Sequence, residues 1–221
     1  MMTNLFSIFD PSTSLFSQLN WINMLLILFI MYHPFWLIPS KINMMWIKFY
    51  NMIFLEFKIL FKLNYIYNFI IFISTMTMIV LINIMGLFPF IFTSTSSMII
   101  SLSLSLPLWM SMMIFYWLNY TKNSLAHMVP LNTPNMLMMF MVIIETISNI
   151  IRPMTLAIRL TANMIAGHLL LSLIGSSCSN TMTILLIIII LLQTMLFILE
   201  ISVAIIQSYV FTILSILYSN E

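Results

Sequence analysis

Charge is what this sequence has least of. Only 5% of its 221 residues are Asp, Glu, Lys or Arg, while 62% are apolar. Soluble domains carry about 25% charged residues, so a water-facing surface cannot be built from this chain. Glycine is nearly as scarce, with 3 residues, which leaves little room for tight-turn architectures. The single cysteine, Cys178, excludes an internal disulfide and any cysteine-rich metal site. The opening Met1-Met-Thr-Asn-Leu-Phe6 has no basic region and no Arg-rich amphipathic pattern, so no signal or transit peptide is expected. The net charge of +2 says little by itself, and no nucleic-acid partner is expected.

What is present is long apolar segments. Methionine, with 23 residues, and Ile, Phe and Asn are abundant, as in proteins from AT-rich organelle genomes. Polar clusters divide the chain into five expected membrane spans, at about 20–39, 64–92, 98–119, 135–174 and 181–218. Trp21 and Trp36 are placed to anchor the first at the interfaces. The stretch 41–62 differs. Trp46, Tyr50, Phe54, Phe57 and Phe61 recur at helical spacing on one face, and Lys41, Lys48, Asn51, Glu56 and Lys62 gather on another. That pattern predicts an amphipathic helix lying on the membrane rather than an ordinary loop. Ser101, Ser103 and Ser105 alternate as in a strand, but a lone strand in lipid leaves its backbone unpaired, so helix is expected there. The stretch 120–134 reads as a loop.

The last two segments are unusually long. In 135–174 only Pro153 and Gly167 interrupt the apolar run, and 181–218 holds neither Gly nor Pro. Each would make about 60 Å of helix, against a hydrocarbon core of about 30 Å. A continuous helix of that length must incline at roughly 60° to the membrane normal. A steeply tilted hairpin turning near Gly175–Asn180 is therefore predicted. The expected fold is an all-α polytopic membrane protein, a single membrane domain over residues 1–221. Lys41, Lys48, Lys58 and Lys62 follow the first span and Lys122 follows the third, so five spans put every lysine on one side. The positive-inside rule then places the N-terminus outside and the C-terminus inside.

The few intramembrane charges form rows. Glu145, Arg152 and Arg159 are spaced by seven, close to two helical turns, with Asn163 one turn further. Gln193, Glu200 and Gln207 repeat the spacing on the next segment. An antiparallel hairpin brings Arg159 opposite Gln207 and His168 opposite Glu200 in nearly one register. Bland roles exist for most of these groups. Arg152 can snorkel or pair with Glu145, Asn163 and Gln207 can bridge helices, His168 can be a neutral core histidine, and Glu200 can be protonated and inert. Arg159 is hardest to dismiss. Its guanidinium is never neutral at accessible pH, and a charge at a membrane helix centre costs about 2.5–3.5 kcal/mol on insertion scales. The group points to ion handling, above all of protons.

Arg159-Leu-Thr-Ala-Asn-Met-Ile-Ala-Gly-His168 resembles the signature of the a-subunit family of mitochondrial F-type ATP synthases, also called subunit 6. Glu200-Ile-Ser-Val-Ala-Ile-Ile-Gln-Ser-Tyr-Val-Phe211 and Ile84-Met-Gly-Leu-Phe-Pro-Phe90 carry the same resemblance. Asn4-Leu-Phe-Ser-Ile-Phe-Asp-Pro11 looks like the insect versions. The resemblance covers essentially the whole chain and implies a non-catalytic proton-channel subunit of the mitochondrial inner membrane, without cofactor. It implies as partners a rotating ring of c subunits, other membrane-sector and peripheral-stalk subunits, the bilayer and protons. Arg159 would sit between two half-channels, facing the ring carboxylates. His168 and Glu200 would serve the outer path and Glu145 the inner one, with Asn163 and Gln207 beside the arginine. Arg152 falls where some relatives have a neutral residue, and no essential role is implied for it.

Other classes fit less well. A proton-pumping subunit of a respiratory complex would spread Lys and Glu pairs over several spans, whereas here the intramembrane charges sit in the last two. A zinc hydrolase would need a motif such as His-Glu-x-x-His, which is absent, and His33, His127 and His168 are too scattered for a haem bundle. A purely structural anchor leaves Arg159 unexplained.

Overall fold

A computed structural model describes residues 5–12, 18–25, 37–60, 69–88, 91–129, 134, 137–178 and 182–220. Every regular element among them is helical. Short 3-10 turns occupy Leu5–Phe9 and Leu19–Ile22. The helices are α1 (Lys41–Leu60), α2 (Phe69–Gly86), α3 (Met98–Asn119), α4 (Thr121–His127), α5 (Met138–Ser177) and α6 (Thr183–Asn220), with a 3-10 turn at Ser94–Ser96 before α3. Four of them, α2, α3, α5 and α6, are long and apolar enough to cross a membrane. The chain is thus a polytopic helical membrane protein. The centre of the expected first span, residues 26–36, lies outside the described residues.

The two long helices form as expected. α5 runs 40 residues and α6 runs 38. Pro153 sits inside α5 without ending it. A proline removes one helical hydrogen bond, a loss that neighbouring helices and polar side chains can offset in a membrane protein. The helix ends at Ser177, within the expected turn near Gly175–Asn180. Apart from its own helix backbone and chain neighbours, no atom among the described residues lies within 4 Å of where a Cβ on Gly175 would stand. α3 matches its expected bounds. The hydroxyls of Ser101 and Ser103 donate to the carbonyls of Met98 and Ile100 at 3.0 and 2.8 Å, satisfying themselves within the helix. The expected loop at 120–134 instead opens with α4. The Ser124 amide donates to the Tyr120 carbonyl at 2.9 Å, and its hydroxyl to the Thr121 carbonyl at 2.8 Å.

The chain packs as two compact units. The first comprises Met1–Ser97 and Ala162–Glu221. Its spine is α2 lying along α6. α2 buries Phe69, Phe72, Met76, Ile79, Asn83 and Gly86, a spacing of three and four that makes one stripe. α6 answers with Glu200, Ala204, Gln207, Phe211, Ser215 and Ile216. α1 packs against both by its aromatic face, which was expected to lie on the membrane, burying Ile53 and Phe57 and half-burying Trp46 and Tyr50. Phe54 meets Phe69 at a ring distance of 5.1 Å, and Phe57 stacks on Tyr209 at 6.3 Å. The Tyr209 hydroxyl donates to Glu56 Oε2 at 3.1 Å. Burial pushes the Tyr50 phenol above its ordinary range, opposed by a hydrogen bond with Thr77. Lys41, Lys48, Asn51 and Lys58 are exposed. The second unit, Met98–Thr161, holds α3, α4 and the first part of α5.

Candidate functional site

The C-terminal part of α5 lies in the first unit with α6, where four of the six expected site residues stand. Asn163 Nδ2 donates to Gln207 Oε1 at 3.0 Å, linking positions 44 apart in sequence. Gln207 is buried, and its Nε2 has no acceptor among the described residues. One turn further along α5, Gly167 faces Glu200. A Cβ on Gly167 would stand 2.7 Å from Glu200 Oε1 and 2.9 Å from its Cδ. The carboxyl group therefore rests directly on the bare Cα of this glycine. The two contacts fall within one turn of the register expected from sequence, with Asn163 rather than Arg159 bonded to Gln207.

Glu200 is 8% exposed, and neither of its carboxyl oxygens has a hydrogen-bond partner among the described residues. Nε2 of His168, next to Gly167, is also buried without a partner. The two residues are close in register but not hydrogen-bonded to each other. Leaving a buried polar group unsatisfied costs about 1–3 kcal/mol, more for a charged one. Here three atoms able to take up or release a proton stand unsatisfied in an otherwise apolar helix pair. Groups left so call for a functional explanation, since packing alone would replace them with apolar side chains.

The other expected residues, Glu145 and Arg159, lie earlier on α5, in the second unit. Glu145 Oε1 and Arg152 Nη2 form an ion pair at 3.8 Å, with both side chains half-buried. The i, i+7 spacing expected to align them does so. Arg159 is exposed, flanked by buried Ala157 and Leu160. Within its own unit it has no hydrogen bond or ion pair among the described residues. α5 carries Glu145, Arg152, Arg159, Asn163 and His168 along one continuous helix.

Residues 15–220 match the family described as ATP synthase A chain. The chain belongs to that family. It is 53% identical over 223 residues to the ATP synthase subunit a of Locusta migratoria, covering 100% of this chain and 99% of the relative. Identity to the ATP synthase subunit a of Drosophila melanogaster is 51% over 222 residues, and to that of Anopheles quadrimaculatus 50% over 224, with the same coverage. Two buried features of this ATP synthase A chain were not singled out from sequence. Gly167 was noted only as a break in an apolar run, although it is the seat of Glu200. Asn83 is fully buried on α2, with both amide atoms unpartnered among the described residues. An amide one turn from the end of an 18-residue apolar helix was the signal that could have found it.

Proposed function

We propose that the chain is the proton-translocating a subunit in the membrane sector of a mitochondrial rotary ATP synthase, coupling proton flow to rotation of a ring of c subunits. The observation that carries this beyond family membership is Glu200. It is a buried carboxyl group with both oxygens unpartnered among the described residues, resting on Gly167 and close in register to His168. In this reading Glu200 and His168 relay protons from the outer side to a ring carboxylate, which then travels through lipid in neutral form. Glu145 receives protons leaving for the inner side. Arg159 lies between the two paths, and its permanent charge favours the ionised ring carboxylate and blocks direct transfer across the gap. Asn163 and Gln207 tie α5 to α6 beside it. The subunit itself performs no covalent chemistry and needs no cofactor.

Replacing Glu200 with Gln, or His168 with Leu, is expected to slow proton uptake while the complex still assembles. Passive proton flux through the membrane sector in vesicles measures this directly. Unchanged flux in both variants would remove these residues from the outer path.

The topology follows from the lysines. α1 lies on the inner face, and the first span, the N-terminus outside and the C-terminus inside complete a five-span arrangement. In a variant lacking Cys178, a cysteine at Lys48 is expected to react with a membrane-impermeant thiol reagent from the inner side. One at Phe57, which is fully buried, is expected to react poorly from either side. Reaction at position 48 from the outer side would reverse the orientation.

A further inference from the structure

Arg152 stands outside the roles described so far, yet it is bound into the site. We infer that Arg152 is a positioning residue for the inner proton path, holding the Glu145 carboxylate in place along α5. The inference rests on the assignment of Glu145 to that path.

Four observations support it. The Arg152 guanidinium reaches Glu145 Oε1 at 3.8 Å, with the two side chains 25% and 32% exposed. Screening by water is therefore partial, and the attraction is stronger than at an open surface. The direction is right as well. Side chains on a helix lean toward its N-terminus, so the long arginine stem points back at a glutamate two turns earlier. A separation of two turns, about 10 Å of rise, is bridged only when both side chains extend along the axis, which fixes where the carboxylate lies. Next, Pro153 is fully buried beside Arg152 and pins the backbone at that turn. Finally, the neighbouring hydroxyls do not compete. Ser148 donates to the Glu145 carbonyl at 2.8 Å and Thr155 to the Arg152 carbonyl at 2.9 Å. Both are committed to the backbone, so neither is a substitute partner for the carboxylate.

A purely structural arginine would matter equally whether or not Glu145 is present. A positioning arginine would not, and a double-mutant cycle separates the two. The assembled ATP synthase carrying Arg152→Gln is reconstituted in vesicles, and ATP-driven proton pumping is measured beside Arg152→Lys, Glu145→Gln and the double variant. Arg152→Gln is expected to slow pumping by roughly 3- to 30-fold, the range for coupling between contacting charged side chains. Arg152→Lys should recover part of that loss, since it keeps the charge but lacks the planar fork. In the Glu145→Gln background, Arg152→Gln should add no further loss. Normal pumping in Arg152→Gln, or a loss that simply adds to that of Glu145→Gln, overturns the inference. Normal pumping in Glu145→Gln alone would instead overturn the inner-path assignment beneath it. If Arg152→Gln fails to assemble, the double variant decides. Restored assembly shows that the lone carboxylate was the fault and supports the pairing, while continued failure overturns it.

Discussion

Arg159→Ala is expected to abolish proton-driven ATP synthesis in a fully assembled complex, a fall of about 10²-fold or more, as when a charge-stabilising group is removed from a protected site. In the proposed function Arg159 supplies a charge between the two paths that protonation cannot erase. Without it, a ring carboxylate reaching the gap has no cation to favour its ionised form. It can pass still protonated, and protons cross without doing work. Each charge that leaks across 100 mV dissipates about 2.3 kcal/mol. The variant should therefore show lost synthesis, and a raised passive leak where the ring still turns. Arg159→Lys should rescue little, because an ammonium covered by the ring can deprotonate and lacks the planar fork. ATP synthesis and passive leak in vesicles, with assembly checked by subunit content, measure both effects. An assembled Arg159→Ala complex that makes ATP at the normal rate would refute the central role given to this residue.

Gly167→Ala should uncouple stability from activity. Alanine is favoured over glycine in a helix interior by about 1 kcal/mol, so α5 should form at least as readily. Yet the new Cβ would stand 2.7 Å from Glu200 Oε1 and 2.9 Å from Cδ, closer than real atoms approach. Helix backbones give less readily than the end of a glutamate, so the carboxyl group must move. Displacing a proton-relay group by about 1 Å can cost on the order of 10²-fold in rate. Proton flux is expected to fall by roughly 10- to 100-fold, while detergent-extracted complex keeps its thermal stability. Shortening the displaced group, as Gly167→Ala with Glu200→Asp, should recover part of the flux. Normal flux in Gly167→Ala would mean that the position of the Glu200 carboxyl over Gly167 does not matter to the relay.

What the sequence made legible was whatever depends on one helix at a time, or on two helices in simple register. The limits of α3 followed from where polar residues begin and end. The Glu145–Arg152 pair followed from i, i+7 spacing on a single helix, and the Asn163–Gln207 contact from an antiparallel pairing correct to one turn. The seven residues of α4 were read as loop because a segment so short has no periodicity to betray it. Gly167 was opaque for another reason. A glycine needed for clearance looks like any other until the side chain that fills its space is known. Whether His168 and Glu200 share a hydrogen bond depends on side-chain rotamers, which spacing does not contain. Asn83 went unnoticed because no second polar residue repeats on its face of α2.

The serines and threonines of the long helices have a consequence for insulation. Ser74, Thr75, Thr146, Ser172, Thr194, Ser202 and Ser208 each donate to a carbonyl three residues back in their own helix. A row of free hydroxyls through a membrane would be a proton wire, handing protons from one oxygen to the next with no rotor involved. A hydroxyl whose hydrogen is held by its own backbone cannot pass it on. The helices can therefore be rich in small polar residues that permit close packing and still not conduct. In the proposed function, conduction is left to side chains that the backbone does not occupy, among them the carboxylates and the imidazole of α5 and α6.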